Sequence, residues 1–131
     1  MAAFEQLDFL CIPSADVARD TRWFTDVLGG RLVFAIDAMG TRVAMVELTD
    51  SPPRLLLTDH LEGDRPILIY RVADLEAAVA ELTGRGWEPV GALEIPPGPC
   101  VSFRGVGGQR IALYERSRPE VEAHFTGRHD F

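Results

Sequence analysis

The chain reads the same way twice. Ala15-Asp16-Val17 opens one amphipathic stretch and Ala73-Asp74-Leu75 opens another. Each follows a short apolar run and precedes a glycine and a second apolar run. A repeat of element types in one order constrains the fold more than any single motif, because each half checks the other position by position.

In the first half, residues 7–13 are predicted as a strand. Leu7, Phe9, Leu10, Cys11 and Ile12 put apolar side chains on both alternating faces, as in a sheet covered on both sides. Ser14 and Asp16 suit a helix start. Val17, Thr21, Phe24 and Leu28 then recur at the spacing of one buried helical stripe, and Gly29-Gly30 ends it. Residues 31–36, 42–48 and 54–58 are predicted strands, with turns at Met39-Gly40 and Ser51-Pro52-Pro53. Residues 60–66 are polar, contain Gly63 and Pro66, and read as a linker.

The pattern then restarts. Residues 67–72 are a predicted strand, and Asp74 caps a helix with Leu75, Ala78, Val79 and Leu82 on one face, closed by Gly84 and Gly86. Residues 87–90, 100–104 and 109–115 are predicted strands, with a proline-rich turn over 96–99 and a hairpin turn over 105–108. The glycines of that hairpin precede a strand, where a phosphate-binding loop would precede a helix. Each half is therefore βαβββ, over 7–59 and 67–115, in one α+β domain spanning 1–131. Phe9 falls on Ile67, Asp16 on Asp74, Gly29 on Gly86, Gly40 on Gly98, and Leu56 on Ala112. The tail over 116–131 reads as helical: Pro119 suits a first turn, Glu120 and Glu122 its positive end, and Gly127 its stop. Phe125 and Phe131 are expected to dock on the body.

Composition narrows the partners. Hydrophobic residues make up 47% of 131, enough for a core. A formal net charge of −7 argues against nucleic acid, whose affinity rests on Lys and Arg at phosphates. No apolar run approaches a membrane span, and residues 1–6 lack the basic start of a secretory signal. A cytoplasmic protein with reduced Cys11 and Cys100 is expected.

The repeat, together with Leu7-Asp8-Phe9, Trp23-Phe24-Thr25-Asp26-Val27-Leu28-Gly29, Tyr70-Arg71-Val72-Ala73-Asp74-Leu75 and Gly108-Gln109-Arg110-Ile111-Ala112-Leu113-Tyr114-Glu115, resembles the vicinal oxygen chelate superfamily. That group includes glyoxalase I, extradiol dioxygenases, fosfomycin resistance enzymes and bleomycin-binding proteins. The resemblance runs from about Leu7 to Glu115 and implies a mixed sheet curled into a cup, with helices on its outer face. In the metal-using members, ligands on the first and fourth strands of the modules hold a divalent Lewis acid in that cup. The matching positions here are Phe9, Ile67, Leu56 and Ala112, none of which can ligate a metal. A slip of two residues keeps the face and brings in Cys11, Ile69, Thr58 and Tyr114, still a poor set for a hard ion. A metal-free cup without cofactor is therefore expected.

Its candidate ligand-binding residues are Phe9, Cys11, Met45, Leu56, Ile67, Glu94, Phe103, Ala112 and Tyr114. Met45 and Phe103 occupy matching third-strand places and are candidate cup walls, although a sheet-to-helix core explains them as well, and Glu94 is a loop carboxylate that can reach over the mouth. No catalytic residue is assigned. His60 at the fourth strand's end can be a rim acid or base or a solvated side chain. His124 and His129 lack the four-residue spacing of a helical metal pair. Glu47 has no assignable face, Glu115 is expected opposite the ligand slot, and Trp87 either packs or stacks on a planar ligand. The leading expectation is a metal-independent small-molecule binder that forms a homodimer. The alternatives are a metal-free lyase or isomerase acting on a small carbonyl compound, with Cys11, Tyr114, His60 and Glu94 as candidate bases; a metal-dependent enzyme with relocated ligands; and an interaction protein whose cup is filled by its own side chains.

Overall fold

The computed structural model describes residues 4–38, 40–61 and 63–131. Met39 of the expected first turn and Glu62 of the expected linker lie outside the described residues, as do residues 1–3. The elements run β1 (Phe4–Pro13), α1 (Val17–Asp26), β2 (Arg31–Ala38), β3 (Thr41–Glu47), β4 (Arg54–Thr58), β5 (Ile67–Val72), α2 (Leu75–Gly84), β6 (Gly91–Ile95), β7 (Gly98–Arg104), β8 (Arg110–Glu115) and α3 (Pro119–Phe125). This is the twice-repeated βαβββ order of an α+β fold.

Contacts divide the chain into two compact units. The first-module unit comprises residues 9–66 with the tail from Phe125 to Phe131. The second-module unit comprises Ile67–His124 with the chain up to Asp8. In the first, the strand order is β2-β3-β4-β1. β1 runs parallel to β4 with Cys11 opposite Leu56, and β3 runs antiparallel to β4 with Met45 opposite Leu56. In the second, the order is β5-β8-β7-β6 beside the first residues of β1. β5 runs parallel to β8 with Ile69 opposite Ala112, and β7 runs antiparallel to β8 with Ser102 opposite Ala112. The two registers match, which supports the pairing of Leu56 with Ala112 read from the repeat.

α1 and α2 begin as their sequence dictates. The Asp16 carboxylate accepts the Arg19 N–H at 3.0 Å, and the Asp74 carboxylate accepts the Ala77 N–H at 3.0 Å. Each thus satisfies one of the backbone donors that a helix start leaves open. Gly29 and Gly86 follow the helices at φ of 74° and 94°, where a β-carbon would be strained. Val17 of α1 packs on Ala35, Ala44, Val46, Leu55 and Leu57, with Leu10, Ile12, Phe24, Leu32 and Phe131 around them. Ala78 of α2 packs on Val72 and Leu113, with Tyr70, Leu75, Leu82 and Phe103 around them. These clusters are the helix-side cores of the two units.

The tail of the first-module unit lies against β2. The Ala35 N–H donates to the Arg128 carbonyl at 2.8 Å, and the Gly127 N–H donates to the Val33 carbonyl at 2.8 Å. The Phe125 and Phe34 ring centroids are 5.9 Å apart, and Arg42 stands 4.8 Å over the Phe131 ring. Both phenylalanines of the tail therefore dock, as their placement predicts.

Several boundaries differ from expectation: β1 begins at Phe4, α1 ends at Asp26 and β2 runs on to Ala38. Residues 87–90 are not a strand; β6 begins at Gly91. The Trp87 N–H donates to the Leu82 carbonyl at 3.1 Å, and its ring sits edge-on to Phe103 at 4.2 Å. Trp87 is thereby kept at the end of α2. The proline-rich turn is also shorter than expected, because β7 starts at Gly98. A β-carbon on Gly98 would lie 1.8 Å from the Glu115 carbonyl oxygen, so only glycine lets β7 approach the end of β8 there.

Candidate functional site

Strand alternation separates a helix-side face from its opposite in each unit. In the first-module unit, the residues alternating with the helix-side core are Phe9, Cys11, Met45 and Leu56, all between 0% and 3% exposed. Register places Cys11, Leu56 and Met45 in one row across three strands, with Phe34 beside Met45. Four expected candidates therefore share one buried face. Charge stands at its end. The Glu47 carboxylate accepts from Arg31 at 2.6 Å and from Arg54 at 2.9 Å. Burial pushes the Glu47 carboxyl up, but hydrogen bonds and charge from both arginines outweigh it and hold the pKa below its ordinary value. This settles the face of Glu47. Thr58 is buried, and its hydroxyl meets Nδ1 of the exposed His60 at 2.5 Å.

In the second-module unit, the corresponding face carries Ile67, Ile69, Ala112, Tyr114 and Cys100, all between 0% and 2% exposed. Tyr114 lies opposite Arg71 on one side and opposite Cys100 on the other. Its phenol donates to the Asp8 carboxylate. Asp8 also accepts from Gln6 at 2.5 Å, and the Arg71 Nε stands 3.7 Å from Asp8 and 3.6 Å from Glu5. Burial, the hydrogen bond to Asp8 and that carboxylate's charge all push the Tyr114 phenol far above its ordinary value. Tyr114 is therefore a neutral donor at any physiological pH. Asp8 and Arg71 escaped the sequence reading. The available signal was a carboxylate inside an apolar strand, which has to find partners if it is buried.

Two expected candidates lie elsewhere. Phe103 belongs to the helix-side core with Leu113 and is edge-on to Trp87, so it is not a cup wall. Register matches Met45 with Ser102, since both oppose the Leu56/Ala112 position, and a one-residue offset turns Phe103 to the other face. Glu94 lies within β6, not on a loop, and its carboxylate is held by Arg118. Glu115 is opposite the ligand slot as expected; its carboxylate accepts the Leu75 N–H at 2.9 Å. His124 is exposed in α3, and His129 forms a parallel bridge with Ala35.

The superfamily metal needs convergent nitrogen or carboxylate donors. The positions that the superfamily resemblance assigns to them hold Phe9, Leu56, Ile67 and Ala112, which are buried and apolar. Among the described residues, no group of three or more His, Cys, Asp or Glu side chains can hold a metal ion. The residues present do not fit the ion.

The model of the Glyoxalase/Bleomycin resistance protein/Dioxygenase superfamily matches residues 6–112. The chain belongs to this superfamily. Among curated proteins no sequence matches it. Among solved structures it is similar to methylmalonyl-CoA epimerase from Mycobacterium tuberculosis, with TM-score 0.76 and 24% identity over 94% of this chain and 95% of that one. A hypothetical protein from Bacillus halodurans C-125 gives TM-score 0.73 at 14% identity, covering 86% of this chain and 95% of that one. A Streptomyces coelicolor methylmalonyl-CoA epimerase in complex with 2-nitronate-propionyl-CoA gives TM-score 0.73 at 14% identity, covering 87% and 96%. At these identities the likeness establishes the fold and leaves the activity to be argued from the site. No helix among the described residues is long and apolar enough to cross a membrane.

Proposed function

We propose that this superfamily member binds a largely apolar small molecule without a metal ion. The observation that carries the reading is the replacement of all four ligand positions by Phe9, Leu56, Ile67 and Ala112 on otherwise intact modules. A small-molecule site is usually apolar with a few placed polar groups. In the second-module unit Tyr114, Asp8 and the partly exposed Arg71 are such groups beside Ala112 and Ile69. The apolar side chains are covered in the resting protein, so binding is coupled to opening of this face. Apparent affinity is then reduced by the fraction of protein that is open.

A second reading is favoured by the Tyr114–Asp8 pair. Once the phenol turns from Asp8 to a carbonyl oxygen it stabilises that oxygen by a hydrogen bond, and the Asp8 carboxylate is the base that takes the proton beside the carbonyl and returns it. A donor and a base so paired would suit a metal-free isomerase or lyase of small carbonyl compounds. We further propose a cytoplasmic homodimer, which light scattering of the purified protein tests.

The built-in reporters are Cys11 and Cys100, buried at 3% and 1% exposure beside Leu56 and Tyr114. The experiment is a thermal-shift survey of apolar and carbonyl compounds, followed by thiol-labelling rates with each hit. A ligand at the second-module face slows labelling of Cys100 and loses affinity in Ala112→Trp; one at the first-module face slows labelling of Cys11. Hits that leave both rates and the Ala112→Trp affinity unchanged defeat the proposal. For the second reading, solvent deuterium appears beside the carbonyl of a bound compound and is lost in Tyr114→Phe. The metal-free claim is tested separately. A divalent ion bound in stoichiometric amount, with a rise in melting temperature, would overturn it.

A further inference from the structure

The helix side of the second-module unit has an opening that the site above does not use. An open cleft of about 410 Å³ lies between the start of α2 and β7. Its floor is apolar. Leu75 and Val79 are four residues apart on α2 and share a helical face; Pro99 and Val101 are two apart on β7 and share a strand face. Its rim carries the carboxylates Asp74, Glu76 and Glu115, and among the described residues no Lys, Arg or His lines it. Asp74 and Glu115 are spent in part on the backbone N–H groups of Ala77 and Leu75. Glu76 is exposed in the first turn of the helix.

The first-module unit shows how the chain treats the helix side of its own strands. There the tail brings Phe131 onto the helix-side core and sets Arg42 over its ring. In the second-module unit Phe103 and Leu82 pack on the helix-side core, but the Pro99–Val101 end stays open. The volume lies within the range of small-ligand sites, and its polarity is one-signed.

We infer that this cleft binds a small organic cation with a flat apolar body, such as an arylalkyl ammonium. The body lies on Val79 and Val101, and the ammonium lies among Glu76, Glu115 and Asp74. Charge complementarity selects the cation over a neutral or anionic compound of the same shape. The binding is weak, because the rim is wet and solvent screens it. The site is on the face opposite Ala112 and Tyr114, so it stands or falls independently of the proposed function.

The test uses the whole protein, labelled with nitrogen-15, titrated with phenethylammonium, phenethyl alcohol and phenylacetate up to about 10 mM, a range suited to ligands of so few atoms. Amide shifts at Leu75, Val79 and Val101 are expected with the ammonium, with affinity at least about fivefold above the alcohol, the size of one unit-charge contact in water. Phenylacetate produces no shift there. Glu76→Gln weakens the ammonium about threefold and leaves the spectrum otherwise native. Val101→Arg, which puts a cation into the cleft, abolishes binding. Equal affinity for ammonium and alcohol, or no shift at these amides, overturns the inference. So does a shift confined to Ile69 and Ala112, which places the compound on the other face. Shifts at the cleft that grow with protein concentration alone also overturn it, by making a second copy the occupant.

Discussion

Removing the Tyr114 hydroxyl tests the buried polar network directly. Tyr114→Phe keeps the ring and its burial, so the hydrophobic contribution is preserved. It deletes the donor to Asp8, a carboxylate only 6% exposed. A hydrogen bond to a charged group is worth roughly 1.5–3 kcal/mol. Gln6 still donates to Asp8 at 2.5 Å and Arg71 remains 3.7 Å away, so the cost belongs near the middle of that range, about 2 kcal/mol. This is about a thirtyfold change in the folding equilibrium. Urea denaturation at pH 7 reads it as a lower midpoint at unchanged m-value. The pH dependence adds a second criterion. The folded-state pKa of Tyr114 is raised above its ordinary 10.0, so its stabilisation is fully present below pH 10 and is lost as pH rises through the folded value. Above pH 10 the difference between wild type and Tyr114→Phe shrinks, by about 1.4 kcal/mol per pH unit at most. A loss under about 0.5 kcal/mol at pH 7, within the scatter of ordinary surface changes, refutes the network. A difference that stays constant from neutral to strongly alkaline pH refutes it too.

Leu56→Ala, at a position 1% exposed between Cys11 and Met45, should cost about 2–5 kcal/mol in urea denaturation. Gly98→Ala should lose at least about 3 kcal/mol or fail to fold, because the new methyl meets the Glu115 carbonyl and the backbone has to move; circular dichroism against temperature reads it. The Glu47 pKa is held below its ordinary 4.5, so its contribution is present above that value and is lost as pH falls through the folded one. Glu47→Gln should therefore be less stable than wild type at pH 7, with the gap closing under acid; a gap independent of pH would show that the two arginines do not hold it.

The parts of the fold legible from sequence are those where one local signal suffices. Asp16 and Asp74 announce helix starts because a short carboxylate before an apolar stripe has an N–H to cap, and both do so. β4 and β5 occupy the ranges their apolar runs define. The parts that were not legible are settled by contacts distant in sequence. Trp87 has the residue type of a strand and sits in none, because its ring is held against Phe103 and its N–H by Leu82. Phe103 lies one position of register from Ser102, the true match of Met45, and one position inverts every side chain of a strand, so of cup wall and helix-side core the structure takes the second. Asp8 was passed over because its partners, Tyr114 and Arg71, lie far along the chain.

The alternation of strands explains how a superfamily scaffold persists without its ligand set. Leu55 and Leu57 face the helix-side core, whereas Leu56 between them faces away. Helix packing, which fixes the module, therefore does not see the residue at the ligand position. A donor at that position can become leucine or alanine without disturbing the contacts that hold α1 on its sheet. The change also alters what stabilises the other face. A donor buried there without an ion would leave an unpaired polar group, at a cost of about 1–3 kcal/mol each. Phe9, Leu56 and Ile67 instead contribute roughly 1.5–3 kcal/mol each by leaving water. The polar capacity that remains lies one row away, at Tyr114 and Asp8, already paired and already neutral at the phenol. On the proposed reading, such a face recognises a ligand by shape, burial and one hydrogen-bonding group, so selectivity should follow the outline of the molecule more than any ability to chelate.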